Sequence, residues 1–86
     1  MIEHKKIYSN ELLKDAIFGR IEYIKELTSD DYKANIEKLD NDFYELRLYK
    51  NDNQLFVICN TIDCLYSVIN GYYKGIKVVI DNDKIK

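Results

Sequence analysis

The fold is decided by residues 40–60, which read DNDFYELRLYKNDNQLFVICN. Two clusters of Asp and Asn, at residues 40–42 and 51–53, enclose a segment whose side chains alternate between apolar and polar. Asp and Asn favour turns because their side chains hydrogen-bond the nearby backbone and because they tolerate left-handed backbone angles. The even spacing of the two clusters therefore predicts an antiparallel β-meander of about three strands.

The strand between the two turns presents two different faces, because successive side chains of a strand point to opposite sides. Its apolar face carries Tyr44, Leu46 and Leu48. The other face, which we expect to be wetter, carries Glu45, Arg47 and Tyr49. Residues 54–60 form a nearly continuous apolar run, which is typical of a central strand covered on both sides.

A helix is predicted upstream of the meander, over about residues 10–27. Ser9 is a good N-cap for this helix, since its hydroxyl can accept a hydrogen bond from a backbone N–H of the first turn. Apolar side chains then recur at helical spacing, at Leu13, Ile17, Ile21, Ile24 and Leu27. Gly19 weakens the middle of the helix by about 1 kcal/mol relative to alanine.

Two segments beside the meander each allow two interpretations. Residues 32–39 alternate as a strand but also fit a helix capped by Ser29, and the spacing of the turns favours the strand. After the meander, Thr61 can cap a short helix that ends near Gly71 or Gly75. Its apolar positions are Ile62, Leu65, Tyr66 and Ile69. A strand over residues 65–73 remains the alternative.

Residues 76–80, with the sequence IKVVI, predict a C-terminal strand. The whole chain is thus expected to be a single α+β domain over residues 1–86. Its elements would be an N-terminal helix, a three-stranded meander, a second short helix and a last strand.

Composition excludes several classes of protein. The net charge of −2 and the pI near 5.3 argue against a broad phosphate-binding surface, so direct nucleic-acid binding is not expected. No apolar run approaches the roughly 18 residues of a membrane-spanning helix, and we expect a cytoplasmic protein with no membrane contact. Cys59 and Cys64 are then expected to be reduced thiols that serve as small core residues.

The sequence offers little for catalysis or for metal binding. Only three residues are Cys or His, and His4 is far from both thiols, so a four-ligand zinc site is not expected. A calcium loop starting at Asp40 has Glu45 where glycine is needed. Without a second histidine or a glycine-rich phosphate loop, we predict no metal, no cofactor and no catalytic site.

Eight tyrosines are many for a chain of 86 residues. Tyrosine buries a large ring and keeps a polar group, which is why it is enriched at protein interfaces. Tyr49, Tyr72 and Tyr73, with Arg47 and Lys74 nearby in sequence, are candidates for a binding patch. The alternative is that these rings simply pack around a thin core.

The segments KLDNDFYELR at residues 38–47, LFVI at residues 55–58 and NGYYK at residues 70–74 resemble the sheet region of RelE/HigB-like toxins. Members of that superfamily cleave messenger RNA on the ribosome or poison DNA gyrase. The resemblance implies that Arg47 matches a catalytic arginine and that Lys74 matches a basic residue of a later strand.

A leading helix, a meander with Asn/Asp turns and a Thr-capped helix together resemble some small anti-CRISPR proteins of phages and mobile elements. Such proteins bind Cas effectors stoichiometrically and often cover surfaces that would meet nucleic acid. Residues 1–43 carry seven basic and ten acidic side chains, a net charge of −3. The candidates for imitating phosphate charge toward a basic groove are Asp30, Asp31, Asp40 and Asp42.

We therefore predict a non-enzymatic protein that binds and inhibits a protein or nucleoprotein partner. The first alternative is an RNA-cleaving toxin that uses Arg47. The second is a small subunit of a larger assembly, including a homo-oligomer, in which Tyr49, Tyr72 or Tyr73 is buried between chains.

Overall fold

The first element is the helix that the apolar spacing predicts. The computed structural model describes residues 9–85, and in it α1 spans Asn10–Thr28. The backbone N–H of Leu12 donates to Ser9 Oγ at 3.1 Å, which confirms the N-cap. The helix ends where Ser29 adopts a left-handed conformation with φ 63°. His4 lies outside the described residues.

Three antiparallel strands follow, in the order in which they occur along the chain. They are β1 (Tyr32–Asp40), β2 (Phe43–Lys50) and β3 (Asn53–Thr61). The Asn/Asp clusters form both turns, because Asn41, Asn51 and Asp52 all take positive φ. The predicted meander is confirmed, and residues 32–39 are a strand rather than a helix.

The two faces of the sheet have different environments. The inner face packs against the helices and includes Tyr32, Ala34 and Ile36 of β1, Tyr44, Leu46 and Leu48 of β2, and Phe56 and Ile58 of β3. Leu46 and Leu48 are 0% exposed, as the alternation within β2 predicts. No described element covers the opposite side, which we call the outer face.

The second helix, α2, spans Ile62–Ile85 and begins directly after β3. It buries Ile62, Leu65, Ile69 and Tyr73, which confirms a helix over residues 62–73. The predicted C-terminal strand at residues 76–80 is wrong, because α2 continues through it. Gly71 and Gly75 do not end the helix, since neither has positive φ, and the chain contains no proline to break it.

Two further expectations from the sequence are wrong. Strand β3 lies at an edge of the sheet, and its outer face is not covered, with Leu55 42% and Val57 37% exposed. Cys59 and Cys64 are exposed rather than buried in the core. The outer face of β3, which carries Cys59, is uncovered because α1 and α2 lie on the same side of the sheet. Cys64 is exposed on α2 itself.

The helices run side by side in the same direction. Leu13 of α1 and Tyr66 of α2 line a common groove, and further along Tyr23 packs against Tyr73 with the ring centroids 5.4 Å apart and the rings tilted by 48°. Helix α1 packs over β1, while α2 packs over β3 and β2. The result is a two-layer α+β fold with one hydrophobic core between the layers. Neither helix described here has the length and apolar character needed to cross a membrane.

Candidate functional site

The fold leaves the outer face of the sheet open in the described part of the chain. Strand β2 contributes Glu45, Arg47 and Tyr49 to its centre, which follows from the alternation of the sequence. The register places Asn35 of β1 and Val57 of β3 on either side of Arg47. The guanidinium therefore lies between a polar edge on β1 and an apolar edge on β3.

Arg47 is held in a fixed position on this face. Its Nε donates to Glu45 Oε1 at 2.7 Å, and its Nη1 donates to Gln54 Oε1 at 3.5 Å. The Glu45 carboxylate raises the pKa of Arg47 above its ordinary value, so the side chain stays cationic at any physiological pH. A preorganised arginine loses less conformational freedom when it binds a partner.

Tyr49 and the apolar residues of β3 complete the outer face. Tyr49 lies between Lys33 of β1 and Gln54 of β3 in the register. Next to them, the apolar side chains of Leu55 and Val57 are exposed to water. Their exposure does not stabilise the folded monomer. An arginine, a tyrosine and exposed aliphatic side chains form the kind of mixed surface that protein interfaces use.

A second aromatic cluster lies on the inner side, beneath α2. The hydroxyls of Tyr32 and Tyr72 are 3.1 Å apart. The rings of Tyr72 and Phe56 meet edge-on, with their centroids 6.2 Å apart. Burial, and then the hydrogen bond with Tyr72, raise the pKa of Tyr32 above its ordinary value. A groove of about 580 Å³ runs beside this cluster. Tyr72 is thus half-buried on the side opposite Tyr49.

The four aspartates proposed as phosphate mimics do not form one patch. Asp30 is paired with Lys50 at 3.6 Å and Asp31 with Lys33 at 3.7 Å, at the start of β1. Asp40 and Asp42 are exposed at the other end of the strand, at the β1–β2 turn. Eight residues of β1 lie between Asp31 and Asp40, so the two pairs are about 30 Å apart.

The remaining candidates lie in the helical layer. Tyr73 is only 8% exposed and packs between Tyr23 and the guanidinium of Arg20, so it belongs to the core rather than to a binding patch. Lys74 is exposed on α2. Arg47 and Lys74 therefore lie on opposite sides of the two-layer molecule and cannot act on one bound group.

Sequence reasoning missed the exposed apolar side chains of β3. The signal that could have found them is the absence of charge in residues 53–61, combined with a helix that starts at once after the strand. Two further apolar side chains that the sequence analysis did not single out, Leu39 and Phe43, are half exposed at the β1–β2 turn.

Among the described residues, no three side chains of His, Cys, Asp or Glu come together in a way that could hold a metal ion. Comparisons with protein-family models, with curated proteins and with solved structures found no match to this chain.

Proposed function

We propose that this protein is a non-enzymatic binding protein that inhibits a macromolecular partner by covering it with the outer face of its sheet. The observation that carries the proposal is the open face itself, on which Arg47 is fixed by Glu45 beside the exposed Val57. Arginine and tyrosine are the side chains most enriched among interface residues that dominate binding energy.

The charge of the outer face favours a protein partner over bare nucleic acid. Lys33 and Arg47 are balanced by Glu37 and Glu45 on the same face. A surface that binds phosphates through electrostatics needs an excess of positive charge. An inhibitor of the anti-CRISPR type is one form of this function, and its contact surface would be the outer face rather than the four aspartates.

The separation of Arg47 from Lys74 supports a binding role over an RNA-cleaving one. A nuclease needs its charged groups to converge on one phosphate. The free thiols of Cys59 and Cys64 are compatible with a reducing compartment, and we include a cytoplasmic location in the proposal.

The proposal is tested by affinity capture with matched surface variants. The bait is the full chain, and the variants are Arg47→Ala and Tyr49→Ala on the outer face, with Lys74→Ala on the helical layer as the control. We expect the partner to be retained by wild type and by Lys74→Ala. Each outer-face substitution should weaken the purified complex about 30-fold, the equivalent of about 2 kcal/mol at a dominant interface residue.

A second measurement separates binding from catalysis. The purified chain should form a complex of fixed stoichiometry and should leave RNA intact, alone or with ribosomes. Catalytic degradation of RNA that is lost in Arg47→Ala would overturn the proposal in favour of the toxin. Loss of the partner in Lys74→Ala alone would contradict the assignment to the outer face.

A further inference from the structure

The free edge of β3 has only one of the features that usually protect exposed sheet edges, a bulge at Leu55. Its nine residues, Asn53–Thr61, contain no charged side chain, whereas the other edge strand, β1, contains four. Natural proteins place charges, prolines or bulges on edges to prevent another strand from pairing there. A bulge at Leu55 disrupts only the start of β3. From Phe56 onward, a regular and uncharged backbone is available for pairing.

The polarity of β3 is symmetric about its central residue, Val57. The strand reads NQLFVICNT, with two polar residues at each end and five apolar residues between them. If a second β3 pairs antiparallel about a twofold axis at Val57, Phe56 lies opposite Ile58, and the bulge at Leu55 limits regular pairing to these central residues. Each of these apolar side chains then meets an apolar one, and no like charges are brought together.

One flank of α2 carries a stripe of small and apolar side chains, of which Gly71 and Gly75 also line the groove beside Tyr72. The stripe recurs at alternating intervals of four and three residues, and it consists of Cys64, Val68, Gly71, Gly75 and Val78. That interval is typical of a helix seam that packs against another helix. All five residues are exposed, with Val78 57% exposed.

The contacts of α2 show which way this flank faces. Tyr73 turns toward α1, and Tyr72 turns toward the sheet, where it contacts Phe56. Going round the helix from Tyr73 past Tyr72, the next positions are Val79, Val68 and Gly75, because successive residues are rotated by about 100°. The stripe therefore lies on the side of α2 that is turned away from α1.

The centres of the strand and of the helix stripe lie at the same level. Val57 is four residues before the end of β3, a distance of about 13 Å. Helix α2 starts at that end and runs back over the sheet, so it covers 13 Å in about nine residues and reaches Gly71. Gly71 is the middle of the stripe. A single twofold axis can therefore run close to both Val57 and Gly71.

We infer that two copies of this chain form a symmetric dimer through the β3 edge and the α2 stripe. Pairing of the two β3 strands at about 4.8 Å brings the two α2 helices close together and antiparallel. Val68 of each copy then faces Gly75 of the other, and the glycines allow the close approach. A stable interface needs about 800 Å² per partner, roughly an eighth of the 6123 Å² surface of the chain. An edge strand and a helix flank together can supply it.

The dimer does not depend on the proposed function, because both outer faces stay open in the six-stranded sheet. Its first test is disulfide trapping with Val57→Cys in a chain that also carries Cys59→Ser and Cys64→Ser. A residue on the twofold axis faces its own copy with the Cα atoms about 4.5–5.5 Å apart, within the range of a disulfide. The matched control is Asn35→Cys, on the outer face of the other edge strand.

We expect Val57→Cys to form a covalent dimer of twice the 10.2 kDa chain mass under mild oxidation, and Asn35→Cys to run at the mass of the single chain once the protein is denatured without reductant. Equal cross-linking of the two variants would refute the pairing of β3.

The second test measures the mass of the native protein by sedimentation equilibrium. Gly71→Glu should give a folded monomer, because a Cβ at residue 71 meets nothing within its own chain and glutamate favours helices more than glycine does. Val57→Lys should also give a monomer, since a charge on an edge strand opposes pairing. Gly19→Glu, the same substitution on α1, should stay dimeric like wild type.

A wild-type chain that remains at 10.2 kDa across the micromolar range would overturn the inference and leave the β3 edge to a strand of another protein. A dimer that survives Gly71→Glu would contradict the contact between the α2 helices.

Discussion

Replacing Gly19 by alanine should stabilise the folded chain by about 1 kcal/mol, the difference between the two residues in a helix interior. Gly19 lies in the middle of α1 and is exposed, and its φ is not positive. A Cβ built on it meets no atom within 4 Å. The substitution therefore adds helix propensity without a clash and without loss of a contact.

The measurement is urea unfolding followed by circular dichroism. With a slope of about 1–3 kcal/mol per molar urea for a small protein, the midpoint should rise by about 0.3–1 M. The melting temperature should rise by about 4–8 °C for a domain of this size. Gly19→Ala should be compared with Gly19 in chains that both carry Val57→Lys, because dimerisation would otherwise add to the measured free energy of unfolding.

Gly71→Ala provides the matched comparison. A Cβ there also meets nothing within 4 Å, so the same gain of about 1 kcal/mol is expected in the Val57→Lys monomer. In the wild-type dimer the same change should weaken association, because the added methyl group lies on the twofold axis. A Gly19→Ala chain that unfolds at lower urea, with an unchanged slope, would refute the reasoning that α1 has no close neighbour at this position.

The other predictions concern the core, a titration and a turn. Leu46→Ala should cost about 2–5 kcal/mol of unfolding free energy in urea, because Leu46 is 0% exposed; a loss below about 1 kcal/mol would contradict its central position. Burial and the bond to Tyr72 raise the pKa of Tyr32 above 10.0, so the stability from its neutral form is complete below pH 10.0 and is lost as the pH rises further. Tyr32→Phe should therefore reduce the alkaline fall in melting temperature, and an identical fall in both proteins would refute this. Asn51 has φ 50° and accepts a bond from the N–H of Asp31 at 2.9 Å, so Asn51→Ala should cost about 1–2 kcal/mol in urea, while Asn51→Gly, which keeps the backbone angle, should cost less.

The elements that could be predicted from the sequence are those whose signals are local. Helix α1 has one apolar stripe and a serine cap, and both are visible without knowledge of the rest of the fold. The two turns use Asn41 and Asn51 at positive φ, a conformation that asparagine tolerates better than most residues. The outer-face position of Arg47 and Tyr49 follows from the alternation of β2 for the same reason.

The parts that could not be predicted depend on which side of an element is covered. The apolar run of β3 is compatible with a central strand, but β3 is the last strand of the sheet, and the position of both helices on one side leaves its outer face uncovered. The aromatic pair Tyr72 and Tyr73 is adjacent in sequence, yet the two rings point to the sheet and to α1 respectively. Proximity in sequence therefore gave no guide to a common patch.

The wrong prediction of a strand at residues 76–80 has a physical cause that bears on the dimer. Ile76 packs against the core and Ile80 lines the groove beside it, as expected for the buried stripe of a helix. Val78 and Val79 are exposed, and together with these isoleucines they turn an amphipathic pattern into a nearly continuous β-branched run. Exposed valine is a poorer helix former than lysine or glutamate, so a monomer gains nothing from valine at these positions. Val78, one of these two exposed valines, also belongs to the stripe of α2 that a second copy of the chain would bury.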